Sequence, residues 1–265
     1  MSIAKRTLLV AAAAWLLPAA AHAGLIGFYT FNGNASDSSG NGNNGTVNGS
    51  VTYTNNGPFG GSALTLNGSS TANFVSVPID STVAGQPTET FGAWFYIPSG
   101  APTTNIEGLI SNDDGNFDRT LDLDTRNTGY QYSAFNGAGP VAGGQIVTGQ
   151  WVFVAVSYNN SGGNNGTYVF QVGTNQFTGA TSFDGNSVAG VTDIGINPNF
   201  DFEFDGEIAD AFFYNTALTA TQLNNIQQNG PIAILGTAPE PSSIILMASG
   251  LLMLLGGARR CRRRT

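Results

Sequence analysis

Phe200-Asp201-Phe202-Glu203-Phe204-Asp205-Gly206-Glu207-Ile208-Ala209-Asp210-Ala211-Phe212-Phe213-Tyr214 is the stretch on which the fold turns. Phe200, Phe202, Phe204, Ile208 and Phe212 share one parity, and Asp201, Glu203, Asp205 and Glu207 share the other. Successive side chains of a strand point to opposite faces. The pattern therefore predicts one continuous strand with its aromatics in a core and its carboxylates on the far, solvated face.

The same signature recurs on the N-terminal side. Leu25 to Phe31, Ala63 to Leu66, Asn73 to Val77, Phe91 to Ile97, Tyr130 to Phe135, Trp151 to Tyr158 and Thr167 to Val172 are rich in aromatic and β-branched residues. Asn-Gly or Asp-Gly pairs begin at Asn32, Asn41, Asn44, Asn48, Asn67, Asn136, Asn165, Asp184 and Asp205, and such pairs tolerate the positive φ of tight turns. Only Thr219 to Gln228 reads as a helix, with Thr219 as its cap and Gly230 and Pro231 as its end. The expectation is an all-β protein, a jelly-roll β-sandwich of two antiparallel sheets with one short C-terminal helix, over residues 24–236.

Both ends of the chain read differently. In residues 1–23, Lys5 and Arg6 precede the apolar run Leu8 to Leu17, and Ala21-His22-Ala23 forms a cleavage site before Gly24. That is the pattern of a secretory signal peptide, cut between Ala23 and Gly24. Residues 237–265 carry Pro239-Glu240-Pro241, then 17 uncharged residues from Ser242 to Ala258, then five arginines between Arg259 and Arg264. As a helix, 242–258 is about 26 Å long, the low end of what spans a bilayer. Positive flanks stay on the cytoplasmic side. Motif, span and basic tail in this order resemble a PEP-CTERM sorting signal; a plain C-terminal anchor is the alternative. The resemblance implies transient anchoring in the inner membrane by a separate transmembrane helix. An exosortase would then process the tail and pass an exported protein to the cell surface or extracellular matrix.

Without those ends the composition changes. Two of the nine basic residues precede Gly24 and five follow Pro241, so the segment Gly24 to Pro241 keeps Arg119 and Arg126 against all 17 acidic residues, a net charge of −15. Such a surface repels phosphate backbones and excludes nucleic acid as a partner, while favouring divalent cations or neutral ligands. The one histidine, His22, and the one cysteine, Cys261, also lie in the ends. A histidine base, a cysteine nucleophile, a disulfide and a zinc site of the usual ligands are therefore excluded from residues 24–236.

Five segments carry a family resemblance: Leu25 to Thr46 (LIGFYTFNGNASDSSGNGNNGT), Gly61 to Gly68 (GSALTLNG), Phe91 to Phe95 (FGAWF), Trp151 to Tyr158 (WVFVAVSY) and Phe204 to Thr219 (FDGEIADAFFYNTALT). In this order they resemble a concanavalin A-like, laminin G-like domain. The resemblance implies a non-enzymatic binding protein whose partner is an extracellular polysaccharide, or a structural matrix protein. Ala209 and Phe212 depart from it, standing where the family often has Asp and Arg. That implies the loss of an ion pair common in the family.

Glu203-Phe204-Asp205-Gly206-Glu207 also fits the Glu-x-Asp-x-Glu pattern of laminarinase- and lichenase-like glycosidases, which share this fold class. There one glutamate is nucleophile and the other acid/base, with carboxyl groups about 5 Å apart. In a straight strand the α-carbons of Glu203 and Glu207 lie about 13 Å apart, so catalysis stays the alternative to a solvated acidic face.

Asp210 shares the parity of Phe204, Ile208 and Phe212, and a buried carboxylate must find a cation or several donors. The loop Asp37 to Gly45 is dense in side-chain oxygens. Asp37, Asn41, Asn43 and Asp210 form a candidate Ca²⁺ site, since hard oxygen ligands on a flexible loop suit that ion. The other reading is an Asx-rich turn and a carboxylate held by donors. A second acidic cluster, Asp113, Asp114, Asp118, Asp122 and Asp124, surrounds Arg119 and Arg126 and is expected on a hairpin that pairs its charges internally.

Overall fold

The computed structural model of the protein describes residues 24–236 except 69–71, 102–103, 127–128, 186–189 and 198–199. Residues 1–23, the Pro239-Glu240-Pro241 motif, the span 242–258 and the basic tail lie outside the described residues. Among the described residues no helix is long and apolar enough to cross a membrane.

The strands, in chain order, are β1 (Leu25–Tyr29), β2 (Thr46–Asn48), β3 (Thr52–Thr54), β4 (Ala63–Asn67), β5 (Phe74–Val77), β6 (Thr88–Tyr96), β7 (Glu107–Ser111) and β8 (Thr120–Asp124). They continue as β9 (Gln131–Phe135), β10 (Pro140–Gln145), β11 (Trp151–Asn159), β12 (Asn165–Val172), β13 (Asn175–Ser182), β14 (Thr192–Ile194), β15 (Phe202–Glu203) and β16 (Asp205–Tyr214). Two helices follow, α1 (Ala220–Asn229) and α2 (Pro231–Gly236). The first sheet runs β13-β12-β11-β6-β16-β4-β3, with β1 also on β16; the second runs β10-β9-β8-β7-β14-β5-β2, with β15 on β7. All ladders are antiparallel except β15 on β7. First and last strands are neighbours, Leu25 opposite Tyr214.

The main core lies between the sheets. Leu64, Phe95, Val154 and Ile208 of the first sheet and Leu121, Tyr132 and Ile194 of the second belong to one buried cluster. A second cluster covers the outer face of the first sheet, where Trp94, Phe153 and Phe212 meet Leu223 and Ile226 of α1 and Ile234 of α2. Thr219 and Gln222 form a capping box at the start of α1. Pro231 does not end the helical region as the sequence suggested. It opens α2 after the cap at Gly230, because its fixed φ suits a first helical position.

The strand expected over Phe200 to Tyr214 is broken twice. Phe200 and Phe202 are about half exposed, Glu203 is fully buried, and the chain passes from the second sheet to the first at Phe204. The second break is at Asp210, whose φ is 53°, where the register of β16 on β6 slips between Ala209 and Phe212. A bulge inserts one residue and reverses the alternation beyond it. Ile208, Ala211 and Phe213 therefore face the inter-sheet core, while Ala209, Phe212 and Tyr214 face the helices. The single-parity reading is corrected at both breaks: the change of sheet at Phe204 leaves Phe200 and Phe202 exposed and Glu203 buried, and the inserted residue turns Phe212 to the helices.

Candidate functional site

The Asp37 loop is stitched to β1. Asp37 Oδ1 accepts from Phe28 N at 3.0 Å and Ser39 N at 2.8 Å, and Oδ2 accepts from Ser39 Oγ at 2.9 Å and Asn43 N at 3.0 Å. Asn41 Nδ2 donates to Leu25 O and Asn43 Nδ2 to Ile26 O. Four donors converge on the carboxylate and the amides present N–H groups to the strand. These bonds satisfy the carboxylate from within the protein and tie the loop to β1.

Asp210 sits at the bulge, nearly buried, and no hydrogen bond joins it to Asp37, Asn41 or Asn43 among the described residues. Burial alone pushes its carboxyl up to about 7. Among the described residues no three acidic, histidine or cysteine side chains converge into a group that could hold a metal.

Glu203 and Glu207 fall on different sheets. Glu203, on β15, accepts from Asn67 N and Asn73 Nδ2, both at 3.1 Å. Glu207, on β16, is partly exposed and accepts from Asn56 Nδ2 at 3.0 Å. Asp205 gives its N–H to Glu107 Oε2, and burial pushes the Glu107 carboxyl up to about 7.

The acidic cluster does lie on a hairpin, β7 to β8. Arg126 pairs within it, 2.6 Å from Asp124, and stacks over Phe117 and Phe135. Arg119 turns away instead. It is buried and reaches Glu89 at 3.3 Å, Gln86 O at 2.6 Å and Asn160 Oδ1 at 3.1 Å, with the rings of Tyr158 and Phe183 beside it. Arg119 and Glu89 thus form a buried ion pair between residues thirty apart in sequence, at positions other than Ala209 and Phe212. Asp122 is buried without a hydrogen-bond partner among the described residues, 3.7 Å from Arg126. Burial and the neighbouring carboxylates of Asp201 and Asp124 push its pKa well up, which favours the neutral acid.

The surface best suited to a ligand lies elsewhere, on the outer face of the first sheet where the helices stop. Register places Glu207 opposite Tyr96 and Tyr96 opposite Trp151, so a carboxylate, a phenol and an indole stand in one row across three strands. All three are partly exposed. The rings of Tyr96 and Trp151 are 5.6 Å apart at 48°. Asn56 orders both ends of the row, its carbonyl accepting from Trp151 Nε1 at 2.8 Å and its amide donating to Glu207. A cleft of about 440 Å³ opens on the far side of Trp151 from the row and reaches Tyr132 and Gln145 of the second sheet, with Pro58 and Val147 as apolar walls and Gln150, Asn175 and Gln227 as amides; Trp151 is the member of the row that lines it. The volume suits a small organic ligand. Aromatic faces with amides at their edge can hold a molecule that has one apolar side and a rim of hydroxyls.

Sequence reading placed Trp151 in a core strand and passed over Tyr96. The available signal was that Phe91 to Ile97 carries aromatics on both parities, Phe91 and Phe95 against Trp94 and Tyr96. A strand that buries only one face does not need both.

Residues 67–224 match the family described as the concanavalin A-like lectin/glucanases superfamily, of laminin G type. Among curated proteins none matches. Domain 4 of AbnA, a GH43 extracellular arabinanase from Geobacillus stearothermophilus solved in complex with arabinotriose, is similar at 22% identity and a TM-score of 0.54. That likeness covers 78% of this chain and 99% of the domain. The receptor binding domain of a botulinum neurotoxin C/D mosaic serotype is similar at 16% identity and a TM-score of 0.56, over 78% of this chain and 51% of that one. A botulinum neurotoxin serotype D/C binding domain reaches 0.57 at 14% identity, over 77% and 52%. The chain thus spans about half the length of the toxin domains. At these identities the likeness is one of fold.

Proposed function

The chain belongs to the concanavalin A-like lectin/glucanases superfamily, and on that premise we propose that it binds carbohydrate at Trp151 and Tyr96 without cleaving it. The observation that carries this reading is partly exposed Trp151, which packs against Tyr96 and lines a cleft rimmed by amides. A pyranose or furanose stacks its C–H face on such rings and gives its hydroxyls to the amides. The arabinotriose on the arabinanase domain offers a precedent for a sugar on this fold.

The non-enzymatic part rests on Glu203 and Glu207. A retaining pair needs its carboxyls about 5 Å apart in a cleft, and an inverting pair needs room for one water between them. Here one glutamate is buried under Asn67 and Asn73 while the other is partly exposed beside Tyr96.

The setting we propose is the cell surface or extracellular matrix, with an exopolysaccharide as partner. The support lies in the sequence alone, in the cleavage pattern before Gly24 and the Pro239-Glu240-Pro241 motif ahead of an apolar run and five arginines. Exosortase processing is tested by the C-terminal mass of protein recovered from the surface, and retention of Arg264 and Thr265 on that material removes it. The binding reading is tested on a glycan array. Binding of neutral oligosaccharides that weakens about tenfold or more in Trp151→Ala supports it. An array with no bound glycan, or binding unchanged in Trp151→Ala, overturns it.

A further inference from the structure

The charge around the aromatic row narrows the ligand. Between residues 24 and 236 there is no lysine and no histidine, and the two arginines are both engaged, Arg119 with Glu89 and Arg126 with Asp124 and Asp122. Uronates, sulfated sugars and other acidic glycans would find no free cation and a strongly negative domain. The row itself is acidic. Asp205 and Glu207 are two residues apart on β16 and share its outer face, both partly exposed, and Glu207 stands directly opposite Tyr96. Asn56 occupies one Glu207 oxygen, leaving Oε1 without a partner among the described residues.

From this juxtaposition, and resting on the glycan reading above, we propose that the site takes an amino sugar with free, protonated amines. The indole and phenol hold the apolar face of the ring, and a protonated amine meets Glu207 Oε1, with Asp205 one step further along the strand. Adjacent strands are about 4.8 Å apart, so Glu207 and Trp151 flank a span of about 10 Å centred on Tyr96. An ammonium over or beside these rings also gains from their negative faces. A polymer of such sugars complements the charge of −15 carried by residues 24–241.

The experiment uses the purified full chain and two probes, β-linked glucosamine oligomers and the same oligomers fully N-acetylated, titrated where the free amine is protonated. The expected result is about fivefold or more tighter binding of the free-amine oligomer, the size of one exposed charge contact. The preference should shrink in raised salt. In Glu207→Gln the ratio of the two affinities should fall toward one, and Trp151→Ala should weaken both. Melting curves of the variants confirm that they remain folded. Equal binding of the two oligomers overturns the amine assignment and leaves the glycan site standing. So does a preference that survives in Glu207→Gln combined with Asp205→Asn. Binding of neither oligomer, nor of any neutral glycan on the array, overturns both readings.

Discussion

Glu203 and Glu207 are separated by three residues in sequence and belong to different sheets. The chain crosses between sheets at Phe204, whose N–H donates to Gly195 O and whose ring packs edge-on against Phe95 in the core. The carboxylate on one side of the crossing is buried and held by Asn67 and Asn73, and the one on the other side is partly exposed beside Tyr96.

That division gives unequal responses to the same chemical change. Glu203→Ala should lower stability by about 2–3 kcal/mol, because the amide of Asn67 loses its buried acceptor. Glu207→Ala should cost less than about 0.5 kcal/mol, as expected of a partly exposed side chain. Urea denaturation measures both. Equal costs would remove the distinction. Neither variant should alter turnover of laminarin or lichenan, which is expected to be absent from the protein itself.

Asp37 should matter to stability whether or not calcium is present. Asp37→Ala withdraws an acceptor from Phe28 N, Ser39 N, Ser39 Oγ and Asn43 N and should cost about 1–3 kcal/mol. Thermal melts in millimolar Ca²⁺ and in chelator should coincide for both proteins. A rise in melting with Ca²⁺ that disappears in the variant would return the loop to the role of a metal site.

Asp210 should be a source of pH dependence. Its folded carboxyl is raised to about 7 by burial, above the ordinary carboxylate value, so the folded state holds the proton more tightly than the unfolded one. Stability is therefore lost as pH rises from about 4 to about 7, and the full cost is present above that window. Asp210→Asn removes the charge and keeps a side chain that tolerates positive φ. It should stabilise by about 1 kcal/mol or more at pH above the window and by little below it. A gain that does not vary with pH would show that desolvation of the charge is not the cause.

Arg119 should be the costlier of the two arginines to lose. Arg119→Met leaves Glu89 buried without its cation and should destabilise by about 3–5 kcal/mol, whereas adding Glu89→Gln should recover part of that loss. Arg126→Met, at a pair whose arginine is more exposed, should cost less. Chemical denaturation of the three variants and the double variant gives the comparison. A loss under about 1 kcal/mol for Arg119→Met would mean that Glu89 is neutral in the folded protein.

What the sequence determined by itself was everything that depends on local periodicity and local chemistry. Alternating aromatics and Asn-Gly turns were enough for a β-sandwich, since strand geometry fixes a period of two whatever the partner strand. Thr219 was enough for the helix start, because a cap acts within the first turn; the structure added Gln222 as its partner in a capping box. The charge of −15 over residues 24–241 set the expectation against a nucleic-acid partner without any coordinates. The tertiary structure decided whatever depends on which strands lie side by side. One inserted residue at Asp210 turned Phe212 from the core to the helix layer, and local pattern cannot announce a bulge whose cause is packing on both faces. The Glu207–Tyr96–Trp151 row joins residues of three strands that lie more than fifty positions apart in the chain, so no spacing in the chain encodes it. The partner of Arg119 was likewise found thirty residues upstream, in a strand of the other sheet, because a buried charge is satisfied by whatever the fold brings near it and not by its neighbours in sequence.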